Sequence, residues 1–100
     1  MPAYVIAHIR VHDPVRYEDY KKQAQASIIA HGGKYVARGG KVEVLEGEWK
    51  PERLVLLEFP SMDAARRWWT SESYARAKVI RQATSVGEIV LLEGLDVPIA

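Results

Sequence analysis

The chain has 100 residues, 48% hydrophobic and 27% charged, which is enough for one ordinary folded domain. Fourteen Lys and Arg against thirteen Asp and Glu give a net charge of +1, which argues against an electrostatic nucleic-acid interface. No cysteine is present, which excludes disulfides and thiolate metal sites, and neither a membrane span nor an export signal is recognisable, so we expect one cytoplasmic domain over residues 1–100.

The first predicted elements are a strand and a helix. Residues 3–11 alternate with the period of two that is typical of a half-buried strand. Asp13 supplies a helix N-cap, and Pro14 follows at the first helical position, where its missing N–H costs nothing. The helix ends at His31, and Gly32 suits the left-handed residue after it. Its narrow apolar stripe consists of Tyr17, Tyr20, Ala24 and Ile28.

A glycine pair interrupts the next predicted strand, which runs over residues 34–38 and resumes over residues 42–46. Gly39-Gly40 fits either a two-residue hairpin turn or a bulge in one long bent strand. We favour the bulge, because arms of five residues leave little sheet to share.

The second half of the chain predicts a strand, a helix and a strand. The strand covers residues 53–59 and is broken by Pro60, after which a helix begins near Asp63. That helix is kinked or recapped at residues 70–73 and continues to about Thr84. The last strand covers residues 86–93 and ends at Gly94.

This order predicts an α+β ferredoxin-like βαββαβ fold, with an antiparallel four-stranded sheet and the helices on one face. Asp13 and Asp63 open the two helices fifty residues apart, a weak internal repeat that supports two split βαβ halves. The face away from the helices then exposes an apolar patch formed by Ile6, Leu54, Leu56 and Val90. Packing against a second copy, sheet to sheet, is the simplest way to bury such a patch, so we expect a homodimer.

Three blocks of the sequence resemble the family called domain of unknown function 1330. They are HGGKYVARGG at residues 31–40, LEGEWKPERLVLLEFPS at residues 45–61 and SESYARAKVIR at residues 71–81. The resemblance runs from Tyr4 to Gly94 and implies a ferredoxin-like fold that dimerises through its sheets, as in the dimeric α/β-barrel superfamily. That superfamily includes cofactor-independent monooxygenases, isomerases and haem-binding enzymes, and also proteins with no demonstrated chemistry. The resemblance therefore implies an architecture and leaves the activity open.

The most interesting polar pair in the sequence is His8 and Glu58. In the predicted fold we take the first and third strands as central, adjacent and parallel. If Asp13 is then aligned with Asp63, His8 lies opposite Glu58 on the face away from the helices. A carboxylate beside an imidazole would suit a general base or an anion-binding site. The alternative is a buried polar pair at a dimer interface, in which each side chain satisfies the other.

Two arginines and an aromatic group are further candidates for ligand contact. Arg38 or Arg53 could clamp a carboxylate through the planar guanidinium, or pair with Glu46 or Glu58 in a structural network. Tyr74, with Trp68 and Trp69, flanks the predicted kink, where an aromatic-lined cavity between helix and sheet could accept a planar ligand. Core packing is the alternative, and since adjacent tryptophans cannot both face inward, one lies at a rim or interface. Arg81 could close such a pocket or lie in solvent.

We therefore expect a homodimer that binds a small anionic or aromatic molecule near the dimer barrel. The candidate ligand-binding residues are His8, Arg38, Glu58, Arg53 and Tyr74. No cofactor, metal ion, nucleic acid or membrane is expected as a partner. Two alternatives stay open, namely a structural or interaction module without a ligand and a cofactor-independent monooxygenase or isomerase-like enzyme.

Overall fold

The computed structural model describes residues 1–96, in which four strands and three helices follow one another. They are β1 (Ala3–Val11), α1 (Pro14–Ala30), β2 (Lys34–Arg38), β3 (Leu54–Phe59), α2 (Met62–Trp69), α3 (Glu72–Thr84) and β4 (Ser85–Glu93). This is the predicted ferredoxin-like order, with the second helix divided into α2 and α3. The division is a recapping: α2 ends at its C-cap Thr70, and the Ser71 hydroxyl accepts a hydrogen bond from the Tyr74 amide at 3.2 Å.

The sheet has the strand order β2-β3-β1-β4, and every neighbouring pair is antiparallel. The antiparallel sheet is confirmed, but the expectation that the first and third strands run parallel is wrong. Helix α1 returns the chain so that β2 runs in the same direction as β1, and β3 pairs antiparallel with β2. Strand β3 therefore runs opposite to β1, which places Glu58 across from Tyr4 and Leu54 across from His8.

The predicted strand over residues 42–46 is also wrong. Strand β2 ends at Arg38, and residues 39–53, all of which the structure describes, contain neither strand nor helix. Gly39 has a φ of +66° and turns the chain away from the sheet, where a Cβ atom would collide with the guanidinium of Arg53. The glycine pair is thus neither a hairpin turn nor a bulge. The register shift in this part of the sheet lies earlier, between Tyr35 and Ala37.

The ends of α1 form as its sequence predicts. The Asp13 carboxylate accepts a hydrogen bond from the amide of Arg16 at 3.2 Å. At the other end Gly32 adopts a φ of +80° as the residue after the C-cap, and Nδ1 of His31 donates to the Ser27 carbonyl oxygen at 2.8 Å. These contacts satisfy backbone groups that the helix itself leaves unpaired.

All three helices pack on one face of the sheet and leave the other face open. The main core between the two layers includes Val5, Leu57, Phe59, Trp68 and Tyr74, each at most 4% exposed. On the open face Ile6, Leu54 and Leu56 are only half-buried, and Val90 and Leu92 are 56% and 54% exposed. Among residues 1–96, no helix is both long enough and apolar enough to cross a membrane.

Candidate functional site

A narrow cavity of about 40 Å³ lies between the helices and the sheet. The aromatic residues that line it are Tyr17, Tyr20, Tyr35, Trp68 and Tyr74. Three cationic residues also line it, Lys21, Arg38 and Arg53, and no carboxylate of residues 1–96 does. The cavity is therefore an aromatic space with an excess of positive charge.

Arg53 is the cationic residue that is best fixed in position. It directly precedes β3, and its carbonyl oxygen accepts a hydrogen bond from the Ile9 amide at 3.0 Å, which extends the sheet by one residue. Its Nε is buried, and within residues 1–96 it has no hydrogen-bond partner. A buried donor without an acceptor is costly and rare, so this nitrogen requires an explanation.

Arg38 and Lys21 lie at the outer part of the cavity. Arg38 is opposite Val55, which faces the helices, and its guanidinium lies 4.3 Å from the centroid of the Tyr35 ring. It donates a hydrogen bond to the Gln25 side chain at 3.0 Å, while Lys21 pairs with Glu18 at 3.0 Å. Arg38 is exposed and Lys21 half-buried, so both side chains can move without disturbing the core.

A chain of hydrogen bonds joins the inner wall of the cavity to a buried arginine. Nε of Arg81, a residue that is 6% exposed, donates to the hydroxyl oxygen of Tyr74 at 3.2 Å. The Tyr74 hydroxyl lies 3.1 Å from that of Tyr20. Since Arg81 can only donate, the Tyr74 proton is available to Tyr20, and the Tyr20 proton is then available to a group in the cavity.

Three tyrosines of the cavity, Tyr17, Tyr20 and Tyr35, have raised pKa values and stay neutral over the physiological range. Burial raises the pKa of Tyr20 above its ordinary value of 10.0, and the hydrogen-bonded Tyr74 raises it further. Burial also raises the pKa of Tyr17 and of Tyr35, although the positive charges of Arg53 and Arg38, respectively, oppose the increase. These side chains therefore offer O–H donors and add no negative charge to the cavity.

His8 lies on the open face of the sheet, away from the cavity, and is 7% exposed. Its Nε2 accepts a hydrogen bond from the Glu52 amide at 3.3 Å, and its Nδ1 is 3.4 Å from a Glu88 carboxylate oxygen. The Trp49 ring packs edge-on against the imidazole, with the centroids 5.7 Å apart. This histidine therefore attaches the segment 39–53 to the sheet.

Glu58 and His8 do not meet. They lie four residues apart along β1 by register, a separation of about 13 Å. Glu58 is instead 3.3 Å from the ammonium group of Lys34 on β2. The structure thus divides the five candidate residues: Arg38, Arg53 and Tyr74 share the cavity, whereas His8 and Glu58 lie apart from each other on the opposite face.

Sequence reasoning assigned two residues of the cavity wall to the core. Tyr17 and Tyr20 belong to the apolar stripe of α1, and nothing in their spacing distinguishes a cavity wall from ordinary packing. The one available signal is their hydroxyl groups, since a buried tyrosine needs a hydrogen-bond partner. The adjacent tryptophans divide as expected, because Trp68 is 2% exposed and Trp69, at the rim, is 37% exposed.

Comparison with known proteins identifies both a family and a fold. A family model described as "Domain of unknown function (DUF1330)" matches residues 2–95. The RPA0582 protein of Rhodopseudomonas palustris, described as a protein of unknown function, is 20% identical with a TM-score of 0.78, over 95% of this chain and 83% of that one. A search of the curated proteins finds no match.

Two further solved structures share the fold. A dimeric ferredoxin-like protein of unknown function from a Jannaschia species is 13% identical with a TM-score of 0.70, over 94% of this chain and 100% of that one. SnoaB of Streptomyces nogalater, described as a cofactor-independent oxygenase, is 17% identical with a TM-score of 0.64, over 96% and 95% of the two chains. At these identities the likeness shows the ferredoxin-like fold alone.

Proposed function

The chain belongs to the DUF1330 family, and we propose that it is a homodimer that binds a small anion in the cavity between the helices and the sheet. The observation that carries the proposal is the buried Nε of Arg53, which has no hydrogen-bond partner within residues 1–96. An anionic ligand would satisfy this donor after a small shift of the Arg53 side chain, because the nitrogen is fully covered in the ligand-free protein. Arg38 would lie at the entrance, and the neutral hydroxyls of the tyrosines would donate further hydrogen bonds.

The charge of the cavity favours an anion over a neutral ligand. Three cationic side chains line it, and of these Lys21 is paired with Glu18, whereas no carboxylate of residues 1–96 lines the cavity itself. Charges interact more strongly in a partly dry space than in water, and an arginine fork matches the two oxygens of a carboxylate. A small carboxylate is therefore the ligand class that this wall fits best.

The size of the cavity distinguishes an anion from an aromatic ring. Its volume of about 40 Å³ holds a few water molecules or a group of the size of formate or acetate. A benzene ring requires a cavity of roughly 150 Å³ in an engineered protein core. Of the two ligand classes expected from the sequence, the small anion fits with only a small shift of Arg53, and an aromatic ligand would require Lys21 and Arg38 to move outward.

The test is a titration with sodium formate and sodium acetate at constant ionic strength, followed by NMR of the backbone amides. We expect saturable shifts near Arg53 and Tyr20. Arg53→Gln should weaken binding at least tenfold, because a hydrogen bond to a charged group contributes about 1.5–3 kcal/mol. Arg16→Gln, a change at an exposed arginine of α1, is the matched control and should bind as the unchanged protein does. Equal binding by both variants, or shifts that never saturate, would favour a module without a ligand.

The open face of the sheet supports the homodimer. It carries five apolar side chains that the helices do not cover: Ile6, Leu54, Leu56, Val90 and Leu92. A face of this kind is unusual on a monomer, and the Jannaschia neighbour of the same fold is described as dimeric.

Light scattering on two variants tests the interface. Leu92→Asp puts a charge on the open face and should shift the protein toward monomer. Val79→Asp, at a 67% exposed position of α3, should leave the dimer intact. If both variants remain dimeric to the same extent, the open face is not the interface.

A further inference from the structure

Residues 39–53 form an arm whose base is fixed and whose tip projects. At the base, the Gly39 amide donates to the Leu54 carbonyl oxygen at 2.9 Å, and Trp49 packs on His8. At the tip, Leu45 is 95% exposed and Val44 is 45% exposed. A structureless segment of this length is uncommon in a compact domain, and an aliphatic pair at its tip gains nothing from exposure to water.

A groove with an apolar floor lies on the other side of the molecule, between α2 and β4. Its volume is about 390 Å³, within the range of sites that hold small ligands or side chains. The floor is formed by Ala65, Trp68, Trp69, Ile89 and Leu91. Val90, which belongs to the open face, also lines it, so the groove continues around the β4 edge onto the proposed dimer interface.

The tip of the arm and the rim of the groove have opposite charges. Glu43, Glu46 and Glu48 lie within and beside the tip, and all three are exposed; Glu43 is 3.3 Å from the ammonium group of Lys41 in the same arm, so Glu46 and Glu48 carry the acidic character. Arg66 lines the groove, where its guanidinium is 3.3 Å from the exposed Asp63 carboxylate one turn earlier, and the exposed Arg67 follows it on the last turn of α2. An acidic segment with an aliphatic centre therefore complements an apolar groove with a basic rim.

A two-fold axis parallel to the strands brings the arm of one copy to the groove of the other. Strands β2 and β4 are the outer strands within residues 1–96, so stacking two sheets about an axis parallel to the strands sets β2 of one copy over β4 of the other. Rotation about such an axis leaves the position of each residue along the strand direction unchanged. The base of the arm packs on His8 of β1. The residue next to His8, Ala7, pairs with Ile89 of the groove. The arm and the groove therefore lie at similar heights along the strand direction.

The arm is also long enough to reach the groove. Stacked sheets lie about 10 Å apart. The six steps from Gly39 to Leu45 span up to about 20 Å when extended. The tip can therefore pass the outer strand of the partner and enter the groove behind it.

We propose that Val44 and Leu45 of one protomer occupy the groove between α2 and β4 of its partner. The inference rests on the proposed homodimer, and it adds a second contact between the two copies besides the stacked open faces of the sheets. In this arrangement the arm covers Trp69 of the partner, and the glutamates of the tip face Arg66 and Arg67.

The natural absence of cysteine permits a direct test by cross-linking. Leu45→Cys and Thr70→Cys chains are co-expressed so that mixed dimers assemble, and are then treated with a short bis-maleimide. Thr70 lies at the rim of the groove. We expect the mixed dimer to cross-link at least ten times faster than a control pair of Val15→Cys with Thr70→Cys, because Val15 is 81% exposed on α1 and does not line the groove.

The outcomes separate this contact from the dimer itself. A cross-linking rate equal to that of the control, in a sample that light scattering shows to be dimeric, would overturn the arm contact and leave the dimer standing. Faster cross-linking of Leu45→Cys chains to one another would place the two tips together and would also overturn it. A monomeric sample would overturn both proposals.

Discussion

Replacing Arg53 by methionine should abolish anion binding and at the same time stabilise the ligand-free protein. Methionine keeps an unbranched apolar stem of similar length but removes the buried Nε, which has no acceptor within residues 1–96. An unsatisfied buried donor costs about 1–3 kcal/mol. Because Arg53 is only half-buried and its guanidinium also interacts with the Tyr17 hydroxyl, which methionine cannot do, we expect a gain of at most about 1 kcal/mol in the free energy of unfolding.

The assay is equilibrium urea unfolding of both proteins, with and without the anion, in a buffer free of other carboxylates. Binding at a hundredfold excess over Kd adds about 2.7 kcal/mol to the unchanged protein and nothing to the variant, so the order of stability reverses when the ligand is added. The reasoning is refuted if Arg53→Met unfolds more easily than the unchanged protein in the absence of anion, because Arg53 would then be a structural residue.

Two further predictions concern the same cavity. Tyrosines with raised pKa values stay protonated in the folded state above pH 10 while the unfolded chain ionises, so stability should fall as the pH rises from 10 to 11. Tyr20→Phe should make that decline shallower by up to about 1.4 kcal/mol per pH unit, and an unchanged slope in urea titrations would contradict the assignment. Gly39→Ala should lower the melting temperature and weaken formate binding together, because the added methyl group meets a backbone with positive φ and displaces the guanidinium of Arg53. Loss of stability with unchanged affinity would separate the glycine from the site.

The elements set by local chemistry could be predicted from the sequence, and the pairings between distant residues could not. Asp13 and Gly32 act within a few residues of themselves, and the caps they form are those the sequence indicates. Residues 70–73 fitted either a kink or a recapping, and Ser71 decides for the recapping as the N-cap of α3. The pairing of His8 with Glu58 depends on the direction of a strand that lies fifty residues away. That strand runs antiparallel to β1, so the two side chains lie about 13 Å apart.

The remaining errors have physical causes of the same kind. Val42 and Val44 alternate with polar residues as a strand does, but a strand also needs a partner, and Gly39 turns the chain away from the one available. Tyr17 and Tyr20 have the spacing of a core stripe, and the cavity that they line together with Arg53 depends on a part of the chain more than thirty residues away. A buried nitrogen without a hydrogen-bond acceptor, such as Nε of Arg53, cannot be recognised from the sequence, because it depends on which residues surround it in the folded protein.

The thinness of the molecule has a consequence for how two ligands would influence each other. The protein measures 45 × 36 × 16 Å, and its smallest dimension is one layer of helices on one layer of sheet. In the proposed dimer the two sheets lie at the centre and the cavities lie on opposite sides of it, so no side chain of one cavity touches the other. The proposed arm contact is the short route between them, because Arg53 at the base of the arm lines one cavity, and Trp68 of the partner subunit lines both the groove and the other cavity. We therefore expect the two sites to fill independently, with a Hill coefficient of about 1, in a variant whose Val44 and Leu45 no longer enter the groove.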